Sequence, residues 1–370
     1  EGVLQMGVSV AKRNFKLAVD RNRIKRLMRE SYRLQKAIVY NNIENPYVFM
    51  ISYIGKAEVP YQELHLKMEK LLTLFLKETK TNAFLVMRNG TITYEWYNKK
   101  FSPEFQFPSY SVAKTLTSLM IGKLVSEGKI SESDTFIKFF PDLSNGTSFD
   151  KVTIGQLLDM RSGVGVSDNY PSGPSGWGVA IAQMYASTDI PWFMGNNRKM
   201  SFEPGTKAEY RSVDTQMLGM IIKKVTGERV VDYFGREVWQ PMGARHGATW
   251  NVDHLDGQEK TFCCFNATAR DYALVGQLIL DNGLAQGKQI IPPIWNARLA
   301  TPVVKLDRNW GYGAQMWHPY PNTSMLLGLH GQHVLIVPET KSVIVKLSDD
   351  LNSENEGAVT EVMYGLAMRS

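Results

Sequence analysis

Cysteine is nearly absent from the 370-residue chain, and its scarcity limits both disulfide and metal chemistry. The two cysteines, Cys263 and Cys264, are neighbours in sequence. Neighbouring cysteines rarely pair with each other, and two thiols do not complete a zinc site without further ligands. The histidines lack the carboxylate-rich surroundings and the helical-pair spacing that would supply such ligands. We therefore expect two buried, reduced thiols, no metal site and no cofactor.

Long apolar runs are also absent. No stretch approaches the roughly 18–20 apolar residues that a helix needs to cross a bilayer, which argues against a membrane partner. Residues 1–4 lack the basic segment leading into an apolar run that marks a secretory signal. These two absences favour a cytoplasmic location for the chain as it stands.

Most of the chain has no excess of either charge. Residues 80–370 hold 28 Lys and Arg against 28 Asp and Glu, whereas residues 1–79 hold 14 against 8. The net charge of +6 therefore belongs to the first fifth of the chain. The simplest organisation is a basic module of residues 1–79 joined to a neutral domain of residues 80–370, with the boundary in the polar stretch 77–82.

The basic side chains of the first module concentrate in residues 12–36, which contain ten basic residues and two acidic ones. From Val19 onward, apolar residues recur at helical spacing, and basic side chains cover the remaining faces. Such a surface repels itself unless an anion is present, and a phosphate backbone is its natural partner. On charge alone, nucleic-acid binding and a solvated helix both remain open. The candidate RNA-binding residues are Lys12, Arg13, Arg21, Asn22, Arg23, Lys25, Arg26, Arg29 and Arg33.

A serine and a lysine at helical spacing are the first sign of catalytic chemistry. Ser111 and Lys114 begin an apolar helical run, and their spacing puts them on one face, about one turn apart. The amine can then take the hydroxyl proton, which a serine nucleophile requires near neutral pH. The pair alone is a weak signal, but Tyr210-Arg211-Ser212 and His330-Gly331-Gln332 follow it along the chain. The order of the three elements resembles that of penicillin-recognising serine hydrolases, and this resemblance implies acyl transfer.

The order of elements in residues 80–370 predicts a sheet built from both ends of the domain. Near its start, Asn89-Gly90 separates two strand-like runs and is a hairpin signal. The middle is rich in helices, of which the first covers residues 111–125, and two β-rich runs lie within residues 334–347. A last helix is expected at residues 356–368. We therefore expect one sheet with an inserted helical lobe.

The order of residues in the basic run matches a known pattern. Residues Arg21 to Glu30 closely resemble the signature helix of the protein component of bacterial ribonuclease P. Residues 7–13 are similar to the strand and basic turn before that helix, residues 47–53 to a later strand, and residues 61–76 to the closing helix. The resemblance covers residues 1–79 and implies an α/β RNA-binding fold with a left-handed crossover, whose helix meets the catalytic RNA. Since that family begins with a further helix and strand, we expect a truncated module here.

Residues 80–370 resemble the serine β-lactamase and penicillin-binding-protein superfamily, on its class C-like esterase and amidohydrolase branch. Ser111-Val112-Ala113-Lys114 matches the first motif, Tyr210-Arg211-Ser212 matches the second, and His330-Gly331-Gln332 stands at the third. The resemblance implies an α/β (α+β) fold. Its core would be a β-lactamase/transpeptidase-like antiparallel sheet flanked by helices, together with an all-helical lobe.

The same resemblance implies acyl transfer through a covalent serine intermediate. Ser111 is the expected nucleophile, and Lys114 and Tyr210 share the role of base. The backbone N–H groups of Ser111 and Gln332 are expected to hold the oxyanion. Candidate substrate-binding residues are Tyr170, Ser212, His330 and Gly331. Two alternatives stay open: Ser212 contacts either the substrate or Lys114, and Tyr170 either lines the pocket or packs within its loop.

The third motif bears on the substrate. His330 stands where β-lactamases usually carry a lysine that pairs with a substrate carboxylate, and a histidine is mostly uncharged at neutral pH. This favours ester or amide hydrolysis over β-lactam hydrolysis. Gly331 is expected to permit a close backbone approach. We also expect His330 and His333 to alternate along a strand and thus to share a face.

Three functions compete at this stage. The first is a working serine hydrolase that acts on a small-molecule ester or amide, with the basic leader as a fused remnant. The second is an RNA-binding ribonuclease P component, active in tRNA 5′ processing, with the hydrolase as a passenger. The third is a non-catalytic scaffold, which requires lost catalytic residues, and none is missing. The complete motifs of residues 80–370 decide for the first.

Overall fold

Two strands and a helix make up the described part of the basic module. The computed structural model describes residues 5–10, 15–33, 48–53, 60, 79–168, 180–350 and 356–368. Strand β1 (Gln5–Val10) pairs in parallel with β2 (Val48–Tyr53) along its whole length. Parallel neighbours need a long connection, and helix α1 (Ala18–Arg33) lies within it. This agrees with the predicted α/β arrangement, while the left-handed crossover stays a prediction.

The chain divides into two compact units. One consists of residues 82–347, and the other combines residues 1–81 with residues 348–370. The predicted organisation into folding domains of residues 1–79 and 80–370 stays a prediction.

Short strands and α-helices, with a few short 3₁₀ and π turns, make up the regular secondary structure of the remaining described residues. The remaining strands are β3 (Thr81–Arg88), β4 (Thr91–Tyr97), β5 (Phe107–Pro108), β6 (Thr249–Trp250), β7 (Phe265–Ala267), β8 (Leu284–Ala285), β9 (Lys288–Gln289), β10 (Val304–Lys305), β11 (Gly311–Gly313), β12 (Met316–His318), β13 (Ser324–Gly328), β14 (Gln332–Val337) and β15 (Ser342–Ser348). The remaining helices are α2 (Val112–Ser126), α3 (Phe136–Phe139), α4 (Ile154–Leu158), α5 (Ala180–Ala186), α6 (Ile190–Asn196), α7 (Ser212–Thr226), α8 (Val230–Phe234), α9 (Ala269–Leu280), α10 (Pro293–Leu299) and α11 (Glu356–Ala367).

Eight of these strands form the main sheet, in the order β10-β11-β12-β13-β14-β15-β3-β4. The early strand β3 therefore lies beside the late strand β15, and β4 forms the edge of the sheet next to β3. One sheet is thus built from both ends of the domain, as the sequence predicts. The β3–β4 hairpin turns at Asn89-Gly90, where both residues have positive φ (48° and 75°). Antiparallel pairing runs from β10 through to β15. The fold is thus a mixed α/β fold with an antiparallel sheet flanked by helices. Helices α3 to α8 lie in sequence between the early strands β3 and β4 and the late strands β10 to β15 of this sheet.

Helix α2 is the centre of the core. Its residues are apolar on nearly all faces, so it is buried on nearly all faces, and it packs against α7 and β13. Two glycines permit close packing here. A methyl group at Gly122 would overlap the indole of Trp295, and one at Gly219 would overlap the side chain of Thr261. Side chains in α2 and at the start of α7 are consequently held with little freedom.

The two cysteines depart from expectation. A disulfide joins Cys263 and Cys264, so the expectation of reduced thiols was wrong. The backbone turns at this point, with Cys264 at φ 69°, and the turn brings the two side chains to one side. The indole N–H of Trp250 donates to the carbonyl of Cys263 (2.8 Å) and holds the turn in place.

The sequence also predicts no membrane-spanning helix and no metal site. Within the part of the chain that the structure describes, no helix has the length and apolar character of a membrane span. Over the same residues, no cluster of three or more His, Cys, Asp and Glu side chains has a geometry suited to a metal ion.

Candidate active site

Ser111 stands at the start of α2, where the backbone is held in an unusual conformation. Tyr110, the residue before it, has φ 44°, which is uncommon for a residue other than glycine. Ser109 secures this bend, because its N–H donates to the carbonyl of Phe265 (2.7 Å). Although Ser111 occupies the N-cap position, its hydroxyl makes no capping bond to the helix. The hydroxyl is therefore available for chemistry.

Lys114 is directed at Ser111 by three hydrogen bonds. Its Nζ donates to Ser111 Oγ (2.9 Å), to Ser212 Oγ (2.9 Å) and to the carbonyl oxygen of Phe262 (2.8 Å). The side chain is only 1% exposed. Burial lowers the pKa of Lys114 to about 8, and the nearby carboxylates of Asp168 and Asp214 oppose this shift. An amine with this pKa is partly neutral in mildly alkaline solution and can accept a proton from Ser111.

Tyr210 lies beside the lysine, as the second motif predicts. Its ring centroid is 5.1 Å from Lys114 Nζ. The ring stacks on Trp317, with centroids 5.5 Å apart and planes inclined by 26°, and meets the edge of Tyr312 at 6.0 Å. These aromatic neighbours fix the orientation of Tyr210.

Ser212 joins the lysine to a carboxylate that sequence reasoning missed. Its Oγ accepts a hydrogen bond from Lys114 and donates one to Asp168 Oδ2 (2.6 Å), and its backbone N–H donates to Asp168 Oδ1 (2.7 Å). Of the two alternatives for Ser212, the structure therefore shows the contact with Lys114. The only local signal for Asp168 was its position two residues before Tyr170. Tyr170 itself lies outside the described residues.

A second buried carboxyl group lies close to the lysine. Asp214 accepts a hydrogen bond from Ser162 Oγ (2.5 Å), and burial raises its pKa to about 8. The neighbouring Arg211 opposes that rise and donates to the carbonyl of Val164 (2.5 Å) and to the carboxylate of Glu209 (2.8 Å). Buried groups of both signs therefore surround the start of α7.

The third motif combines a turn with the start of a strand: His330 and Gly331 lie in the turn, and Gln332 begins β14. β13 ends at Gly328, which pairs with Gln332 at the beginning of β14, and residues 329–331 connect them. His330 (φ 63°) and Gly331 (φ 83°) both adopt left-handed conformations that close this short hairpin. The expectation that His330 and His333 share a strand face was therefore wrong, since only His333 lies in β14. Even within one strand, two residues three apart point to opposite faces.

The turn nevertheless lies at the nucleophile. The imidazole of His330 meets the ring of Tyr110 edge-on, with centroids 4.8 Å apart. The side-chain amide of Gln332 donates to the carbonyls of Leu329 and His330 (both 3.3 Å) and stabilises the turn. The backbone N–H of Gln332 as the second oxyanion donor stays a prediction.

Gly328, which lies outside the three motifs, packs tightly against the backbone around Ser111. A Cβ atom at this position would lie 2.3 Å from the carbonyl oxygen of Ser109 and 3.2 Å from the backbone nitrogen of Ser111. The missing side chain of Gly328 lets the end of β13 pack against the nucleophile. A glycine directly before a turn gives no sequence signal of this contact. The close backbone approach at Gly331 stays a prediction.

Replacing Gly328 with alanine should therefore damage the site. The added methyl group forces β13 away from Ser109, and a displacement of about 1 Å costs catalysis about 10²-fold. The rate at which a fluorophosphonate probe labels the enzyme measures this loss. Gly247→Ala is the matched control, because a Cβ atom there meets nothing within 4 Å and the rate should stay parental. A Gly328→Ala enzyme labelled at the parental rate would contradict the contact.

Helix α1 carries the candidate RNA-binding residues. Asn22, Arg23, Arg26 and Arg29 are exposed, and Lys25 is partly exposed. Arg21 is committed elsewhere, since its guanidinium donates to the carbonyls of Phe15 and Lys16 (both 2.7 Å) and secures the turn that leads into the helix. Lys12 and Arg13, and the side chain of Arg33, lie outside the described residues.

Comparisons with known protein families give a match for each of the two parts of the chain. A family model described as Beta-lactamase matches residues 75–364, and one described as Ribonuclease P matches residues 2–75. The 6-aminohexanoate-dimer hydrolase of Paenarthrobacter ureafaciens is 29% identical over 297 residues, which are 74% of this chain and 74% of that protein.

Solved structures place the fold in the same group. A candidate 6-aminohexanoate-dimer hydrolase from Bacillus anthracis is 28% identical, with a TM-score of 0.72 over 80% of this chain and 81% of that chain. The octameric penicillin-binding protein homologue from Pyrococcus abyssi has a TM-score of 0.66 at 19% identity, over 82% of this chain and 77% of that chain. The second likeness concerns the fold alone.

The fold and these relatives define the protein as a serine hydrolase of the β-lactamase fold. The matching family model covers well over half of the chain. The chain belongs to the Beta-lactamase family.

Proposed function

We propose that the chain hydrolyses small-molecule esters and amides through an acyl-enzyme at Ser111, on the class C-like esterase and amidohydrolase branch of its family. One observation carries the proposal. Lys114 Nζ lies 2.9 Å from Ser111 Oγ in a buried site where its pKa falls to about 8. A serine with an adjacent, partly neutral amine is an activated nucleophile.

Each residue has a distinct part in the reaction. Ser111 Oγ bonds to the carbonyl carbon while its proton passes to the Lys114–Tyr210 pair, which titrates as a unit. The N–H of Ser111 and, in this proposal, the N–H of Gln332 stabilise the oxyanion. The proton then moves to the leaving amine or alcohol as its bond to carbon breaks. Water attacks the acyl-enzyme by the same route and releases the acid.

Aromatic rings stand next to the catalytic pair: Tyr210, stacked on Trp317, lies against Lys114, and Tyr110, the neighbour of Ser111, meets His330 edge-on. Such rings favour a partly apolar substrate. A relative that is named for hydrolysis of 6-aminohexanoate dimer is 29% identical over 74% of this chain. We therefore infer linear amides of this type as the first substrate class to examine, with short acyl esters second and β-lactams last.

Covalent labelling tests the proposal. We expect a fluorophosphonate probe to add one adduct to the full chain, and peptide mass mapping to place it on Ser111. Turnover is then measured for 6-aminohexanoate dimer, 4-nitrophenyl esters of increasing acyl length, and nitrocefin. An adduct on another residue, or none, would overturn the assignment of Ser111. Faster turnover of nitrocefin than of every amide and ester would overturn the substrate class.

A second candidate function, RNA binding, belongs to residues 1–79. It is favoured by the match of the Ribonuclease P model to residues 2–75 and by the exposed basic side chains of α1. We propose that residues 12–36 contact a ribonuclease P-type RNA through its phosphates. The predicted division into a basic module and a hydrolase domain of residues 80–370 is part of this proposal.

A gel shift with ribonuclease P RNA tests the second candidate. We expect affinity to fall as salt rises. Arg26→Ala/Arg29→Ala should reduce the slope of log affinity against log salt by about 0.7–0.9 for each phosphate that the variant no longer neutralises. Lys99→Ala/Lys100→Ala removes two exposed charges from a turn of the hydrolase and is the control. An absence of binding at low salt would exclude this function.

A further inference from the structure

A chain of hydrogen bonds extends from Lys114 to a carboxylate beyond the motif residues. Lys114 Nζ lies 2.9 Å from Ser212 Oγ, and Ser212 Oγ lies 2.6 Å from Asp168 Oδ2. The other oxygen of Asp168 accepts the backbone N–H of Ser212 (2.7 Å). Asp168 thus holds Ser212 at two points, and Ser212 is the only group between the carboxylate and the lysine in this chain of bonds.

The direction of these bonds follows from counting protons. The hydroxyl of Ser212 has one proton, and a carboxylate has none to give. Burial raises the pKa of Asp168, and the charge of Lys114 and the two hydrogen bonds from Ser212 oppose that rise. The Oγ–Oδ2 distance of 2.6 Å is typical of a hydroxyl that donates to an ionised carboxylate. The N-terminus of α7, where Asp168 binds, also favours a negative charge. Ser212 therefore donates to Asp168 and can only accept from Lys114.

This direction determines where the lone pair of a neutral Lys114 points. The neutral amine has two N–H groups and one lone pair. The carbonyl oxygen of Phe262 can only accept, and Ser212 has already used its proton, so these two groups take both N–H bonds. The lone pair is left facing the third neighbour, the hydroxyl of Ser111.

We propose that Asp168 is a positioning residue that fixes the direction of the hydrogen bonds around Lys114, so that the neutral amine acts as a base towards Ser111. This inference rests on the proposed function. As Ser111 Oγ bonds to the carbonyl carbon, its proton passes to the lone pair of Lys114. The ammonium that results has three N–H groups for the same three oxygen acceptors, so no neighbour has to turn during the reaction.

Substitution of Asp168 by asparagine should reverse the direction of the bonds. The introduced amide can accept the backbone N–H of Ser212 through its oxygen and donate to Ser212 Oγ through its nitrogen. The Ser212 proton then turns towards the lone pair of Lys114 and competes with Ser111 for it. The substitution also removes the negative charge of Asp168, which destabilises the ammonium form of Lys114. The groups that still face the amine are the carboxyl group of Asp214 and the rings of Tyr210 and Phe262.

The test is the pH dependence of fluorophosphonate labelling, in which Ser111 Oγ bonds to phosphorus and fluoride leaves. We expect Asp168→Asn to lower the plateau rate at least ~10-fold, since general-base assistance is worth roughly 10²–10⁴-fold. We also expect the acid limb of the profile to move to lower pH. Asp189→Asn is the matched control, because Asp189 caps α6 through the N–H of Trp192 and has no bond to the lysine network; it should leave plateau and limb unchanged.

A double-mutant cycle completes the test. Because Asp168 sets the direction of the hydrogen bonds through Ser212, Asp168→Asn should leave the plateau rate unchanged in a Ser212→Ala background. Only the shift of the acid limb, which comes from the lost negative charge, should remain there. Two results would mean a merely structural role and overturn the inference. In the first, Asp168→Asn lowers the plateau labelling rate but leaves the acid limb of the pH profile in place. In the second, it lowers the plateau rate equally with Ser212 and with Ala at position 212. If Asp168→Asn fails to fold, Asp168→Glu in the same two backgrounds provides the comparison. A parent enzyme that is not labelled at Ser111 would instead refute the proposed function.

Discussion

Ser111→Ala should abolish hydrolysis by the chain. Removing a serine nucleophile typically lowers kcat by about 10⁶-fold, because the remaining groups stabilise the transition state but form no acyl-enzyme. The change removes only a hydroxyl group that makes no capping bond to α2, so the fold should stay intact. Intact mass after incubation with the fluorophosphonate probe, together with turnover of the best substrate, measures the effect. We expect no adduct and no turnover above that of buffer.

A matched serine in the same helix controls for the loss of a hydroxyl. Ser118 is buried in α2, and in the described structure its Oγ has no hydrogen-bond partner. Ser118→Ala should therefore keep the parental labelling rate and melting temperature. Substantial turnover by Ser111→Ala with a parental melting temperature would assign the chemistry to another residue.

The parts of the site that sequence alone predicts are those set by local geometry. The spacing of Ser111 and Lys114 determines that they share a helical face, and the structure places their reactive atoms 2.9 Å apart. Tyr210 and Ser212 come from a different part of the chain. They could be placed beside Lys114 only through the family resemblance, because spacing says nothing about pairs separated by about a hundred residues.

The parts that sequence misses depend on tertiary contacts or on backbone conformation. Asp168 lies in a loop and has a role only because α7 brings Ser212 against it. Gly328 has a role only because β13 ends against Ser109, and the disulfide depends on a left-handed turn at Cys264. The order of the sheet was predictable because β-rich runs stand at both ends of residues 80–370. His330 was expected on the strand that Gln332 begins, because its residue type does not indicate the left-handed conformation that places it in the turn.

Lys114→Met should retain the fold and lose most of the activity. Methionine fills a similar volume but cannot accept the Ser111 proton, and loss of a general base costs roughly 10²–10⁴-fold. In the parent enzyme, activity should rise with pH through about 8, because Lys114 acts as a base only after it loses its proton. The variant should lose that rise. Turnover and labelling rates between pH 6 and pH 10 measure both effects.

The stability of the same variant separates catalysis from folding. In the parent, the pKa of Lys114 is about 8 in the folded state, below its ordinary 10.5, so the folded protein carries the cost of a buried ammonium below pH 8. Parental stability should therefore rise with pH between about 8 and 10.5, where the unfolded chain binds the additional proton. Lys114→Met should lack this rise, whereas Lys123→Met, in the same helix but paired with Glu237 (3.1 Å), should keep both the rise and the activity. Equal pH dependence of stability in the parent and in Lys114→Met would mean that Lys114 is not the buried base that the proposed mechanism requires.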